Sequence, residues 1–292
     1  MVMFKSLAAI VLVLFALISQ ARATDGYFDS NGVKIRYVIE GEGQPVVLIH
    51  GWMADSSMWG RDKAGNTKLT AGNGLQLIAL DCRGHGKSDK PYDPKMYGTE
   101  MAEDVIRLLD HLKIKKASLI GYSMGAFIAG KVAATHPERV LSVIYADQAP
   151  LIVGTPSSGS DEVEVFAKAV EDGKGLGPYI LNVMPEKKMT LQQANVIAKI
   201  MFYGKDVKAF AIAGQSLGKL RVKLEDLRKC KAPTLFIYGG NESHYVIDSV
   251  TEARKALGRG DVKVIAGGNH MTTLVNPEFT ATIVGFLHSV AH

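Results

Sequence analysis

The chain has 292 residues, of which 47% are hydrophobic, and this is enough for a full core in one large domain or two small ones. Its 34 basic and 29 acidic residues give a formal net charge of +5, and the basic residues are scattered along the chain. The sequence therefore favours a solvated charged surface and argues against a basic stripe that binds nucleic acid.

The first 23 residues have the design of a secretory signal peptide. Lys5 precedes an apolar run over residues 7–18, and Ala21-Arg22-Ala23 follows as a small-x-small cleavage site. An uncleaved membrane anchor is the alternative, but the run is shorter than the roughly 20 residues that a spanning helix needs. We predict cleavage after Ala23, which gives a secreted or periplasmic protein without a stable membrane span.

The next part of the chain alternates predicted strands and helices. Asn31-Gly32 lies between two alternating runs and predicts an antiparallel hairpin at a sheet edge. Residues 99–112 place apolar side chains on one face at helical spacing. A continuous apolar run over residues 45–50 is typical of a strand buried on both faces of a parallel sheet, and further strands are predicted over residues 75–80, 116–120 and 140–147.

The pattern changes at residues 149–230, which contain no clear buried strand. Helices are predicted there over residues 161–172 and 190–203, the second opened by a Thr190/Gln193 capping box. Strand and helix patterns then alternate again over residues 233–239, 249–257, 262–265 and 277–290. The order predicts a doubly wound, mostly parallel α/β sheet from residues 24–148 and 231–292, with a helical insertion at 149–230.

Gly121-Tyr122-Ser123-Met124-Gly125 joins a predicted strand directly to a predicted helix. Gly-x-Ser-x-Gly in this setting is typical of a nucleophile elbow, a turn so sharp that the serine hydroxyl is exposed at the end of the strand. The backbone N–H of Met124 then lies at a helix N-terminus, where the helix dipole favours negative charge.

The same pattern occurs a second time, at Gly214-Gln215-Ser216-Leu217-Gly218. A helix-like run precedes this copy, and the mixed run 219–223 follows it. No strand precedes it and no apolar helix follows, so we interpret it as a helix end with glycine caps and Ser216 as a structural residue.

Three further motifs accompany the elbow in a fixed order along the chain. They are His50-Gly51-Trp52, Asp81-x-Arg83-Gly84-His85-Gly86-x-Ser88 and Gly268-Asn269-His270. Together with the elbow, they resemble the α/β-hydrolase superfamily over residues 25–148 and 231–290. The resemblance implies the α/β-hydrolase fold with residues 149–230 as a variable helical cap, and it says little about the substrate.

A serine nucleophile needs a base that takes its proton, and histidine has a suitable pKa. His270 follows the last predicted strand and lies at the same sheet edge as Ser123, in the superfamily's chain order of serine, acid and histidine. The resemblance assigns His50 to shaping the oxyanion loop, and we interpret His85 as holding its own loop. His244 lies near the expected acid and stays a candidate.

The acid must orient the histidine and stabilise its charged form. In the superfamily it commonly follows the strand at 233–239 as Gly-x-x-Asp, and here that segment is Gly239-Gly240-Asn241-Glu242. We predict that Glu242 is the acid and that its longer side chain takes the place of the usual aspartate. The alternative is that Glu242 is a solvated carboxylate on the loop. Asp147, at the end of the preceding strand, is the alternative acid, and Asp248 is a third candidate.

Attack by Ser123 creates an oxyanion that needs hydrogen-bond donors. The elbow supplies the Met124 N–H, and the resemblance implies the Trp52 N–H as the second donor. The rings of Trp52 and Tyr122 either line the substrate pocket or belong to the core. No metal or cofactor is predicted, and Cys82 and Cys230 are expected at opposite edges of the sheet as free thiols.

These residues predict an exported serine hydrolase of the carboxylesterase type, acting on an ester or a related small acyl substrate through an acyl-enzyme on Ser123. The serine argues against haloalkane dehalogenases and epoxide hydrolases, which resemble this scaffold but use aspartate. Carbon–carbon bond hydrolases and perhydrolases keep the same triad and stay open. A non-catalytic protein that binds a small ligand and a lipase that works at membranes stay open as well.

Overall fold

The computed structural model describes residues 23–60, 69, 74–155 and 160–290. The predicted signal peptide lies outside these ranges except for Ala23, so its cleavage stays a prediction. Within the described ranges, no helix is long and apolar enough to cross a membrane.

A single sheet of eight strands forms the centre of the described structure. Its spatial order is β1-β2-β4-β3-β5-β6-β7-β8, and β2 pairs antiparallel with β1 and β4, whereas the other neighbours are parallel. The strands are β1 Thr24–Asp29, β2 Lys34–Glu40, β3 Gln44–Ile49, β4 Leu75–Leu80, β5 Ala117–Tyr122, β6 Val140–Ala146, β7 Thr234–Gly239 and β8 Asp261–Ile265.

Helices cover both faces of this sheet, which confirms the predicted doubly wound α/β fold. Helices α1, α2 and α8 contribute to one buried apolar cluster, and α9 contributes to a second cluster. The helices are α1 Thr99–His111, α2 Met124–Thr135, α3 Ser160–Asp172, α4 Gly177–Val183, α5 Leu191–Met201, α6 Val207–Gln215, α7 Leu224–Lys229, α8 His244–Leu257 and α9 Pro277–Ser289.

The predicted hairpin at the sheet edge is present between β1 and β2. Asn31 and Gly32 have φ angles of 56° and 80°, in the left-handed region that a tight two-residue turn requires. Ser30 and Val33 close the turn with two backbone hydrogen bonds, of 2.8 and 3.3 Å.

Helices α3 to α7 lie between β6 and β7, where the sequence predicts the helical insertion; we call residues 149–230 the cap. The cap has an apolar cluster of its own, which includes Phe166, Tyr179 and Phe210. The predicted capping box of Thr190 and Gln193 opens α5. The sequence pattern missed α4 and α7, and it placed the start of α8 five residues too late.

Both cysteines are free, as predicted, and the structure shows that both are buried. Burial is the largest cause that raises the pKa of each thiol, so neither is an activated nucleophile.

Candidate active site

Ser123 lies at a sharp crossing between β5 and α2. Its φ of 52° and ψ of −114° are costly for a residue with a side chain, and such strain is concentrated at functional sites. A Cβ atom on Gly121 would lie 2.1 Å from the carbonyl oxygen of Gly125, and one on Gly125 would lie 2.1 Å from that of Ile49. Close packing of strand, turn and helix therefore excludes side chains at both glycines.

His270 contacts both Ser123 and Glu242. Its Nε2 lies 3.0 Å from Ser123 Oγ, and its Nδ1 lies 3.0 Å from Glu242 Oε1. The Glu242 side chain is 3% exposed, whereas that of His270 is 42% exposed. Ser123, His270 and the buried Glu242 carboxyl group are thus joined by consecutive hydrogen bonds, and the His270 side chain is accessible to solvent.

Two loops at the same edge of the sheet hold Glu242 and His270. The Glu242 N–H donates to Gly239 O at 3.1 Å, which closes a tight turn directly after β7. The Asn241 N–H donates to Gly268 O at 2.7 Å and so joins this turn to the loop after β8. The relative position of acid and histidine is therefore fixed by backbone as well as by side chains.

The surroundings of His270 favour its charged form. Burial acts to lower the pKa, but the hydrogen bond to Glu242 and the charges of Glu242, Asp147 and Glu162 outweigh it, so the pKa of His270 is raised above its ordinary value of 6.5. An imidazole in this setting accepts a proton readily and keeps it while negative charge develops nearby.

Asp147 lies behind this arrangement and is fully buried. Its Oδ1 accepts a hydrogen bond of 2.9 Å from the Gly239 N–H, and its Oδ2 is hydrogen-bonded to the Tyr122 hydroxyl. Burial is the main cause that raises the pKa of Asp147 to about 6. His270 Nδ1 is hydrogen-bonded to Glu242 and not to Asp147, and the third candidate acid, Asp248, is exposed on α8.

The predicted oxyanion donors lie beside Ser123. A Cβ on Gly51 would be 3.5 Å from Ser123 Cβ, so the loop that carries Trp52 approaches the serine closely. The Trp52 N–H donates to no acceptor within the described ranges. Met124 is the first residue of α2, where helix geometry leaves the N–H without an intrahelical partner. Both N–H groups are available to an oxyanion.

The rings of Trp52 and Tyr122 have structural contacts. The Trp52 indole N–H donates to Phe210 O at 2.9 Å, and its ring packs edge-on against Phe166, so it connects the oxyanion loop to the cap. The Tyr122 side chain is buried, and its hydroxyl also lies 2.8 Å from His270 O. These contacts favour the alternative that both rings belong to the core. The sequence analysis places the Tyr122 ring beside the site but does not predict the hydrogen bonds of its hydroxyl group to Asp147 and His270. No local sequence pattern indicates those bonds.

His50 and His85 are fully buried under the oxyanion loop. His50 Nε2 accepts a hydrogen bond of 2.9 Å from the Cys82 N–H, so Nδ1 carries the proton and donates to Gly51 O at 2.7 Å. Burial lowers the pKa of His50, and burial is also the main cause that lowers the pKa of His85 to about 3. Both are neutral residues that shape loops, as interpreted from the sequence, and His244 is exposed at the start of α8.

Ser216 is the C-cap of α6, which confirms that the second Gly-x-Ser-x-Gly segment is a helix end. The predicted glycine caps are wrong, because Gly214 lies inside α6 and Gly218 lies in the turn that follows. Its side chain is buried, and its Oγ donates to Ala213 O at 2.7 Å. The hydroxyl is thus used by its own helix.

Among the described residues, Asp147, Glu242 and His270 form one group with the spacing of metal ligands, with atoms within 4.8 Å of one another. Hydrogen bonds to each other, to Tyr122 and to Gly239 engage these atoms. Hydrogen bonds within the protein therefore account for the spacing of this group.

Comparisons with known proteins agree with the fold. A family model described as the alpha/beta hydrolase fold matches residues 44–175. A predicted esterase/lipase of Haemophilus influenzae is 29% identical over 249 residues, which cover 80% of this chain and 79% of that protein. An esterase from Exiguobacterium antarcticum superposes with a TM-score of 0.69 and 24% identity over 91% of this chain and 100% of that chain. An enol-lactonase from Burkholderia xenovorans gives a TM-score of 0.70 and 25% identity over 90% and 100%.

Proposed function

The chain belongs to the α/β-hydrolase superfamily and is a hydrolase related to esterases and lipases; we propose that it is exported and cleaves a carboxylic ester or a related small acyl compound. The proposal takes Ser123 as the nucleophile, His270 as the base and Glu242 as the acid. The observation that carries it is the pair of 3.0 Å contacts that His270 makes, one to Ser123 and one to Glu242.

The reaction follows from these contacts. His270 Nε2 takes the Ser123 proton as Oγ attacks the substrate carbonyl carbon, and Glu242 stabilises the imidazolium that forms. The N–H groups of Trp52 and Met124 donate to the oxyanion. His270 then returns its proton to the leaving alcohol, and a water molecule activated by the same histidine releases the acyl group from Ser123.

The position of Glu242 argues against the non-catalytic alternative. That alternative depends on a missing acid, and a buried carboxyl group 3.0 Å from Nδ1 supplies one. Carbon–carbon bond hydrolases and perhydrolases use the same three groups. Only an assay of which substrate is turned over can therefore distinguish them from an esterase. Export depends on the N-terminal segment alone and is tested by N-terminal sequencing of the protein recovered from the medium or the periplasm.

A fluorophosphonate probe tests the nucleophile, because it reacts covalently with an activated serine. We expect wild-type protein to be labelled and Ser123→Ala to be unlabelled. Ser216→Ala is the matched control, since it removes the serine of the second Gly-x-Ser-x-Gly segment, and it should be labelled as the wild type is. Labelling of Ser123→Ala would contradict the proposal.

A panel of p-nitrophenyl esters of increasing acyl length tests the substrate class. We expect turnover that is highest for one range of chain lengths, because cap residues contact Trp52 on the loop beside Ser123 and so border the site. A carbon–carbon bond substrate and a peracid assay, run with the same protein, would replace the ester assignment if either gave the higher kcat/KM.

A further inference from the structure

The Tyr122 hydroxyl has two acceptors and only one proton. It is hydrogen-bonded to Asp147 Oδ2 and lies 2.8 Å from the backbone carbonyl oxygen of His270. A carbonyl can only accept, and an ionised carboxylate can only accept, so a phenol cannot satisfy both with one O–H. The arrangement has enough protons only when the carboxyl group itself carries one.

The surroundings of Asp147 favour a proton on it. The side chain is fully buried, and the groups that face it are Tyr122 on β5, Glu242 after β7 and His270 after β8. Burial raises the pKa of Asp147 to about 6 even with Tyr122 donating to its carboxylate. A proton on Asp147 leaves the Tyr122 O–H free to donate to His270 instead.

We propose that Asp147 is a positioning residue that acts as a neutral carboxylic acid: its O–H donates to the Tyr122 oxygen, and the Tyr122 O–H donates to the His270 carbonyl. The proposal rests on the proposed function in one respect, that His270 is the base. Asp147 Oδ1 meanwhile accepts from the Gly239 N–H, so one side chain holds the loops of both Glu242 and His270.

Ionisation of Asp147 breaks this chain. The proton leaves to solvent, the Tyr122 O–H turns to the carboxylate, and the His270 carbonyl loses its donor. The histidine loop is then less firmly held, and a misplacement of about 1 Å can cost on the order of 100-fold in rate. A side chain that keeps a hydrogen-bond donor at position 147 should therefore hold the histidine loop as the protonated acid does.

Asp147→Asn tests the protonated state, because an amide N–H₂ donates to Tyr122 as the carboxylic acid does while the amide oxygen still accepts from Gly239. We expect this variant to keep turnover within about threefold of the wild type. Tyr122→Phe should lower kcat about tenfold with little change in KM, since it leaves the His270 carbonyl without its donor. Tyr145→Phe, a buried tyrosine on the neighbouring strand β6, is the matched control and should keep wild-type kcat.

Infrared difference spectroscopy provides a test that needs no substrate. A carbonyl stretching band of a buried protonated carboxyl group should be present in the wild type at pH 6, disappear in Asp147→Asn and persist in the exposed control Asp248→Asn. This band would support the network even if no ester were cleaved, so its result is separable from that of the proposed function.

Two results would overturn the inference. One is a wild-type spectrum without any band that Asp147→Asn removes. The other is a loss of turnover in Asp147→Asn as large as that in Glu242→Gln, which would mean that Asp147 acts on His270 through its negative charge.

Discussion

Two segments of the chain share the pattern Gly-x-Ser-x-Gly, and their serines have different backbones and different partners. Ser123 has a φ of 52° and a ψ of −114°, whereas Ser216 has −85° and −11° and continues the helix before it. The Ser123 hydroxyl lies 3.0 Å from His270 Nε2, but that of Ser216 donates to a carbonyl of its own helix at 2.7 Å.

The glycines explain the difference. A Cβ on Gly121 or Gly125 would lie 2.1 Å from a backbone oxygen, because helix α2 begins close against β5 and the neighbouring strand β3. In the second segment, a Cβ on Gly214 would lie 2.8 Å from the Trp52 ring, which is a side chain and not backbone, and a Cβ on Gly218 would meet nothing within 4 Å. The pattern therefore specifies an elbow only where a buried strand precedes it and a helix packs against that strand; elsewhere the same five positions end a helix.

The largest expected effect is on turnover when each serine is removed. Ser123→Ala should lower kcat/KM for a p-nitrophenyl ester by about 10⁴-fold or more, because loss of a triad nucleophile leaves only binding and oxyanion stabilisation. Ser216→Ala should stay within about threefold of the wild type, since its hydroxyl is used within α6. Comparable losses in both variants, with melting temperatures unchanged, would contradict the distinction between the segments.

The next effect concerns the carboxyl group behind His270. Glu242→Gln keeps the shape of the side chain but removes the charge, and we expect kcat to fall by about 10²–10⁴-fold. Steady-state kinetics with circular dichroism as a check on folding measures this. Asp248→Asn is the control, because that carboxyl group is exposed on α8, and it should have wild-type kcat.

Stability should distinguish the glycines of the two segments. Gly125→Ala forces a methyl group against the Ile49 carbonyl, and we expect it to lower the free energy of unfolding by about 1–3 kcal/mol or more. Gly218→Ala has open space and should change the free energy of unfolding by less than about 0.5 kcal/mol. Urea denaturation followed by tryptophan fluorescence measures both, and equal losses would mean that close packing is not what requires glycine at the elbow.

The sequence correctly predicts that Ser123, Glu242 and His270 meet at the carboxyl ends of the strands, because each strand is indicated by a local sequence pattern. The strands before Ser123 and Glu242 are apolar runs, the strand before His270 alternates valine with charged residues, and parallel strands bring their carboxyl ends to one side. The residues just before and after Gly214–Gly218 were likewise enough to interpret that segment as a helix end. By contrast, the hydrogen bonds among Tyr122, Asp147 and Gly239 join three strands, and no local pattern specifies which buried acceptor a hydroxyl will meet.

Short helices are the other part that the sequence does not predict. Helix α4 has seven residues and α7 has six, so neither completes enough turns to show a repeat of 3.6 residues. The early start of α8 depends on Ser243, whose side chain accepts a hydrogen bond from the Val246 N–H before any apolar periodicity begins.

The smallest expected effect is a shift in the pH dependence of kcat/KM for the reaction at Ser123. Because the pKa of His270 is raised above 6.5, kcat/KM in the wild type should rise with pH through a midpoint above 6.5, where the imidazole loses its proton and becomes a base. Glu242→Gln removes the main cause of that increase and leaves burial, which lowers the pKa, so the residual activity should rise at a lower pH.

The same shift has a consequence for stability with a fixed sign. A histidine whose pKa is higher in the folded than in the unfolded protein stabilises the fold below pH 6.5, and this contribution is lost as pH rises through the folded pKa. Glu242→Gln should remove that loss, so its destabilisation relative to the wild type should be larger at pH 6 than at pH 9. An equal destabilisation at both pH values would mean that Glu242 does not stabilise a charged His270. Ser123 would then differ from Ser216 in where its hydroxyl group lies, but not in having a charge-stabilised base as its partner.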